Sequence, residues 1–286
     1  MSNVANLPIT SRVVDPGATT KPPIVCVHGG GCNADYFDLP GFSFSNLAAA
    51  RGYPLLLVNR PGHGDGTATA MDFGSTAKAI LAHVHGALEA RSWTPEFFML
   101  GHSIGAAIVM IAAGELRPKG LQGIALSGIG DTPTAPALMW ARKLDVEQPD
   151  LGLASELLFG PAGSFSWRAP KALRHAAERW HSAEVDETIR CWPDRFSKSA
   201  AGISVPVHLR LAEGERIWET GPEAIGRLAA TFANAPEIDA DISPDGGHLY
   251  EVHLRGNELM ASQLDFMDLL ATRLDLRRSA EISEYP

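Results

Sequence analysis

Residues Phe97 to Gly114, FFMLGHSIGAAIVMIAAG, constrain the fold more than any other stretch of the chain. Four apolar residues, Phe97 to Leu100, lead into Gly101-His102-Ser103-Ile104-Gly105, and a run rich in Ala and Ile follows. That run is long enough for about three helical turns. The pattern predicts strand, tight turn and helix, with Ser103 at the apex. Side chains two residues before and two after so sharp a turn would crowd the neighbouring backbone, and glycine carries none. Ser103 can then be held in a strained conformation with its hydroxyl exposed at the end of the strand. The helix N-terminus beside it offers free N–H groups and a positive dipole, which suits an oxyanion forming there. G-x-S-x-G fixes only three positions, so the bare pentapeptide is equally a small-residue turn before a core helix. The flanking strand and helix favour the nucleophile.

Short strand-like stretches recur on both sides of this turn. Ile24-Val25-Cys26-Val27, Pro54 to Val58, Gly123 to Ser127, Val205 to Leu211 and Ile238 to Ile242 all read as strands. The continuous β-branched run at Ile24 to Val27 suits a strand buried on both faces, as in a parallel sheet, and Pro54 to Val58 reads as the next buried strand. An edge strand is expected around Ile9 to Val14. Helices are expected to end at Arg51 before Gly52, and to span 75 to 91, Pro222 to Asn234 and about Tyr250 to Leu274. The fold class that follows is α/β, a mostly parallel central sheet with helices on both faces.

From Asp131 to about Ser204 the composition changes to a helical, proline-broken stretch. It carries four of the six tryptophans, Trp140, Trp167, Trp180 and Trp192. A sheet domain needs no such stretch there. It reads as a helical cap inserted at 131–204 into a core formed by 1–130 and 205–286. Its aromatics would face an apolar pocket over Ser103, with Trp140, Trp167 and Trp192 as substrate contacts. The plainer reading is that these indoles glue the cap helices together.

Three glycines follow the buried strand at Val27, in His28-Gly29-Gly30-Gly31-Cys32-Asn33. Neither phosphate-binding glycine pattern is present, so an oxyanion-hole loop fits better. Gly30, or Gly31, would supply one N–H, and Ile104 the other. Asn59-Arg60-Pro61-Gly62-His63-Gly64-Asp65-Gly66 reads as a structural turn. His83 and His85 lie two apart on one helix and cannot share a face, which argues against a metal pair.

Net charge is −9 and the basic residues form no stripe, which argues against nucleic acid as a partner. The first residues, MSNVANLPITSRVVD, contain no apolar signal segment, and no run approaches a membrane span of roughly 20 apolar residues. Three cysteines, Cys26, Cys32 and Cys191, are odd in number and lack metal-type spacing. Reduced thiols in a cytoplasm fit that usage. No metal or organic cofactor is implied, and the expected partner is a small molecule.

Ser103, a carboxylate turn at Ala212 to Ile217 and then Gly247-His248 each follow a strand. Loops at the carboxyl ends of parallel strands converge on one crevice. With the His28-Gly29 loop, the Pro61-Gly62-His63-Gly64 loop and the insertion before the late strand, the chain resembles a capped serine hydrolase of the α/β-hydrolase type. The resemblance runs over nearly the whole chain from residue 24. It implies the chain order nucleophile, acid, histidine, with Ser103 as nucleophile and His248 as general base and later acid. Counting from Val207, Glu215 stands at the acid position, where the family usually carries Asp. Glu213 and Asp131 are the other candidates. His28 and His102 would satisfy local hydrogen bonds. Two departures are Asn59, where the family usually has Asp, and an N-terminus too short for the full set of leading antiparallel strands.

Serine, histidine and carboxylate together imply acyl transfer through a covalent acyl-enzyme. The reaction expected first is hydrolysis of a carboxylic ester or lactone of a small to medium apolar substrate. Thioesterase or acyltransferase action on a carrier-bound chain and cleavage of a carbon–carbon bond use the same groups. A lyase or cyclase using them for proton transfer, or a non-catalytic binding protein on the same fold, are readings of a different class.

Overall fold

The computed structural model describes residues 9–64, 71–144 and 151–283; Asp65 and Gly66 of the Asn59 loop lie outside the described residues. The chain opens with β1 (Ser11–Val14) and β2 (Ile24–Val27). A 3-10 turn and a small hairpin of β3 (Asp38–Leu39) and β4 (Phe42–Ser43) lead into α1 (Phe44–Ala50). Then come β5 (Leu55–Val58), α2 (Phe73–Ala90), β6 (Phe97–His102), α3 (Ile104–Ile111) and β7 (Leu121–Ser127). Helices α4 (Ala135–Leu144), α5 (Leu151–Phe159), α6 (Ala169–Leu173), α7 (Ser182–Asp186) and α8 (Trp192–Gly202) follow before the sheet resumes. It ends with β8 (Val207–Ala212), α9 (Pro222–Thr231), β9 (Ile238–Ser243) and α10 (Gly256–Ser283).

Seven of these strands form one sheet in the order β1-β5-β2-β6-β7-β8-β9. Only the β1–β5 pairing is antiparallel, and every other neighbour pair is parallel. The mostly parallel sheet expected from the sequence is therefore present, and its residues show why. On β2 all four side chains are buried, with Val25 and Val27 in the core on one face and Ile24 and Cys26 in the core on the other. The period of two that usually separates core from solvent here separates two cores. Residues of α2 and α3, such as Ile80, Val84 and Ile108, fill the first. Residues of α10, such as Met260, Leu264 and Met267, fill the second.

Several boundaries move from their expected places, the last helix running on to Ser283 rather than about Leu274, and two of the shifts have a readable cause. Strand β8 begins at Val207 rather than Val205, because Pro206 has no N–H to give to a ladder. The last helix begins at Gly256 rather than Tyr250, and Tyr250–Val252 is a 3-10 turn instead. Tyr250 and Leu254, four apart, fit one helical face, but the Glu251 carboxylate is drawn inward by Tyr36 and Ser127. The new start allows Gly256 to approach its own turn, since a Cβ there would lie 2.2 Å from the Glu251 carbonyl oxygen.

This topology puts the ends of β2, β5, β6, β7, β8 and β9 at one edge of the sheet. His28, Asn59, Ser103, Gly128, Glu213 and Pro244 follow those strands directly. Trp140 of α4, Leu158 of α5 and Val185 of α7 reach that edge, joined by Trp180 from the stretch between α6 and α7.

Candidate active site

Ser103 sits between β6 and α3 with φ 54° and ψ −121°, a left-handed conformation rare for a residue with a Cβ. The two glycines around it make the turn possible. A Cβ on Gly105 would fall 1.9 Å from the Val27 carbonyl oxygen, and one on Gly101 would fall 2.6 Å from that of Gly105. The Ser103 N–H is bonded to the Ser127 carbonyl at 2.9 Å, which ties the turn to the neighbouring strand.

From this turn a chain of hydrogen bonds runs through three elements. Ser103 Oγ lies 2.9 Å from His248 Nε2, and His248 Nδ1 lies 2.9 and 3.0 Å from the two Glu215 carboxylate oxygens. An ionised carboxylate only accepts, so the His248 proton resides on Nδ1 and Nε2 accepts from the Ser103 hydroxyl. His248 and Glu215 are both buried. Burial alone would raise the Glu215 pKa, but attraction to His248, its hydrogen bond and the Ile217 N–H at 2.8 Å outweigh burial and lower it. Glu215 is therefore ionised at neutral pH.

The extra methylene of glutamate is accommodated by the turn that carries it. The Gly214 N–H donates to the Gly246 carbonyl at 2.8 Å, and a Cβ on Gly214 would strike that same oxygen at 2.6 Å. Because Gly214 has none, the turn of Glu215 presses directly on the turn of His248. The other two candidate acids are committed elsewhere. Glu213 accepts from the Asp245 N–H, and Asp131 forms an ion pair with Arg227 at 3.0 Å.

Behind His248 lies a second buried carboxylate that the sequence reading left out. Glu251 accepts from Tyr36 Oη at 2.7 Å and Ser127 Oγ at 2.8 Å, and stands 3.3 Å from His102 Nδ1. The His102 ring is 5.1 Å from that of His248. Burial would raise the Glu251 pKa, yet attraction to His102 and these hydrogen bonds hold it at about 2. Its folded pKa is thus depressed below the ordinary 4.5. The stability it contributes is complete above about 4.5 and lost as pH falls toward about 2. Glu251→Gln should lower the urea midpoint at neutral pH, and the gap to wild type should narrow steadily on acidification. Parallel midpoint curves over the acid range would show that the carboxylate contributes nothing.

The cavity over Ser103 is narrow, about 30 Å³, with room for one or two water molecules. Among the described residues its lining is mainly apolar and includes no Lys, Arg, Asp or Glu. Of the three tryptophans expected there, Trp140 lines it. Trp167 does not: its indole is 77% exposed beside the Arg168 guanidinium. Trp192 is buried away from the cavity, where its Nε1–H donates to the Gly130 carbonyl and its ring packs on Phe196. It joins α8 to the end of β7. Trp180 takes the place expected of them, meeting Trp140 edge to face at 5.3 Å. It lies in an extended stretch next to Ala177, which bridges to Cys32, so no helical period betrays its direction.

Gly30 and Ile104 also line the cavity. Among the described residues neither N–H has an acceptor. Gly31 is set differently, with φ 63° and its carbonyl accepting from the Glu178 N–H. Cys32 is the other nucleophilic atom in the wall, but burial pushes its thiol up to about 12, so it stays protonated.

A model of the alpha/beta hydrolase family matches residues 24–262. Among solved structures, a thermophilic esterase from Thermogutta terrifontis superposes with a TM-score of 0.68 at 14% identity, over 92% of this chain and 94% of that one. A lipase-esterase related protein from Clostridium acetobutylicum gives 0.70 at 17% identity, over 90% and 99%. An enol-lactonase from Burkholderia xenovorans gives 0.65 at 18%, over 91% and 96%. In sequence, the 2-succinyl-6-hydroxy-2,4-cyclohexadiene-1-carboxylate synthase of Pectobacterium atrosepticum is 33% identical over 114 residues, 39% of this chain. The matched stretch spans 40% of the length of that curated relative. No helix among the described residues is long and apolar enough to cross a membrane. The parallel sheet, the turn at Ser103 and the family match over most of the chain lead to one conclusion: it belongs to the alpha/beta hydrolase family.

Proposed function

We propose that the protein is a serine hydrolase that cleaves a carboxylic ester or lactone of a small to medium apolar substrate. The observation that carries this reading is the hydrogen-bonded chain Ser103–His248–Glu215 opening into an uncharged cavity. In this reading Ser103 Oγ attacks the carbonyl carbon and gives its proton to His248 Nε2. Glu215 keeps the ring oriented and stabilises the imidazolium. The Gly30 and Ile104 N–H groups receive the oxyanion. His248 then returns the proton to the leaving alcohol, and a water activated by the same nitrogen hydrolyses the acyl-enzyme.

In this reading the segment 131–204 acts as a cap and confers specificity through Trp140 and Trp180. The three free thiols, two of them buried, suit a reducing compartment such as the cytoplasm. The synthase reading suggested by the curated relatives is weaker, because a substrate bearing carboxylates calls for cationic partners and no Lys or Arg among the described residues lines this wall.

A series of p-nitrophenyl esters of rising acyl length, with matching acyl thioesters, tests the proposal. Ester turnover with a preference for uncharged chains is expected, and ω-carboxylated esters should be poor substrates. Turnover of the thioesters alone would move the assignment to a thioesterase.

A further inference from the structure

We propose that Arg60 is a positioning residue for this hydrolysis: it aligns the peptide that carries the Gly30 N–H, and Glu184 of α7 makes that alignment depend on the seating of the cap. The inference rests on Gly30 serving as an oxyanion donor, as proposed above.

In a trans peptide the carbonyl oxygen and the amide hydrogen point in opposite directions, so fixing one fixes the other. The Gly29–Gly30 peptide has glycine on both sides, and its rotation is otherwise scarcely restrained. Its carbonyl is held by two donors. Arg60 Nη2 donates to the Gly29 oxygen at 3.1 Å, and His28 Nδ1 lies 2.9 Å from it. The His28 tautomer follows from its other nitrogen, since Nε2 accepts the Arg60 backbone N–H at 3.1 Å. Nδ1 therefore carries the proton and donates. The same residue thus fixes the Gly29 carbonyl twice, directly and through His28. A rotated peptide would present its oxygen instead of its N–H and repel a developing oxyanion.

Arg60 is 1% exposed and reaches this position as part of a buried cluster. Its guanidinium pairs with both oxygens of Glu184, which is 4% exposed. His63 Nε2 lies 3.1 Å from Arg60 Nη2, whose two hydrogens are shared among it, the Gly29 oxygen and Glu184; burial and the nearby arginine push the His63 pKa down to about 3, so that ring is neutral. Within 4 Å, Glu184 is the one carboxylate paired with this cation among the described residues. A buried cation left without its carboxylate is strongly unfavourable. Glu184 precedes Val185, a wall of the cavity, on the same helix. Displacing α7 therefore strips Arg60 of its counter-charge, and reseating α7 over a correctly placed acyl group restores it. The loop that sequence alone reads as a structural turn becomes the connection between substrate fit and oxyanion stabilisation.

Arg60→Gln, Arg60→Lys and Glu184→Gln test this with a matched pair of ligands. One is an alkyl trifluoromethyl ketone, whose serine adduct places an oxyanion in the hole; the other is the corresponding methyl ketone, which binds without one. Arg60→Gln should lower kcat by about 100-fold with KM within about twofold, since misplacing one oxyanion donor costs about that much. Its affinity for the trifluoromethyl ketone should fall by a similar factor while that for the methyl ketone holds. Arg60→Lys should recover little, because one ammonium cannot replace the fork that spans Gly29 and Glu184. Glu184→Gln should shift the same ratio in the same direction by about tenfold, and it provides the readout if Arg60→Gln does not fold. Equal losses for both ketones, or an unchanged trifluoromethyl ketone affinity, would overturn the positioning role. A wild-type protein that forms no adduct with the trifluoromethyl ketone would remove the hydrolase reading and this inference with it.

Discussion

Exposed to a small fluorophosphonate, the wild-type chain should gain one phosphonyl group and lose the proposed ester turnover, while Ser103→Ala should gain none. The reagent reports on an activated oxygen: Ser103 Oγ bonds to phosphorus, fluoride leaves, and the hydroxyl proton passes to His248. An ordinary serine does not react, because a hydroxyl without an adjacent base is a weak nucleophile. The His248 nitrogen 2.9 Å from Oγ supplies that base, and the cavity opens onto it. The competing nucleophile in the wall is Cys32, and its thiol, pushed up to about 12 by burial, should not be labelled. Turnover of Ser103→Ala should fall by a factor on the order of 10⁴ to 10⁶. Its thermal midpoint should move by only a few degrees, since alanine keeps the Cβ and gives up one hydrogen bond. An adduct retained by folded Ser103→Ala would place the nucleophile elsewhere.

Why Ser103 could be read from sequence, and Trp180 could not, follows from the range of the forces that place each. The Ser103 turn is a local object. Glycines at 101 and 105 are required by contacts at 2.6 and 1.9 Å within the strand–turn–helix unit and with β2, and the apolar runs on either side announce that unit. The buried strands are equally local, because a residue on β2 or β5 faces a core whichever way it points. The helices over the site are different. They are short, and a tryptophan's direction depends on which neighbour it meets after folding. Trp192 reaches back to Gly130 and Trp167 faces solvent, while Trp140 turns to the cavity. Arg60 was hidden for a related reason. In a loop rich in glycine an arginine reads as solvated, and its burial becomes visible only with Glu184, which lies far along the chain. Glu251 escaped because Tyr250 and Leu254, four apart, imitate the first turn of a helix around it.

The acid poses the sharper test, because three carboxylates fit the chain order and only one touches His248. Glu215→Gln should lower kcat by about 10⁴, with the thermal midpoint nearly kept. Glutamine retains the volume and still meets Nδ1, but its amide nitrogen can face the ring, which favours the tautomer with the proton on Nε2. His248 would then present a hydrogen where Ser103 needs an acceptor. The positive charge that forms on His248 during attack would also lose the ionised partner held on it by buried hydrogen bonds. Glu215→Asp should fall between, since it restores the charge but draws it back by one methylene from a turn whose Gly214 contact is already close-packed. Glu213→Gln should stay within about threefold of wild type, because that carboxylate meets only the exposed Asp245 N–H and such surface contacts contribute little. Asp131→Asn should do likewise for kcat, its partner being the exposed Arg227. Steady-state kinetics on one good p-nitrophenyl ester for all four variants would settle the ranking. If Glu215→Gln and Glu213→Gln were equally mild and Asp131→Asn severe, His248 would have to change partners during turnover, since at rest Glu215 already occupies its Nδ1.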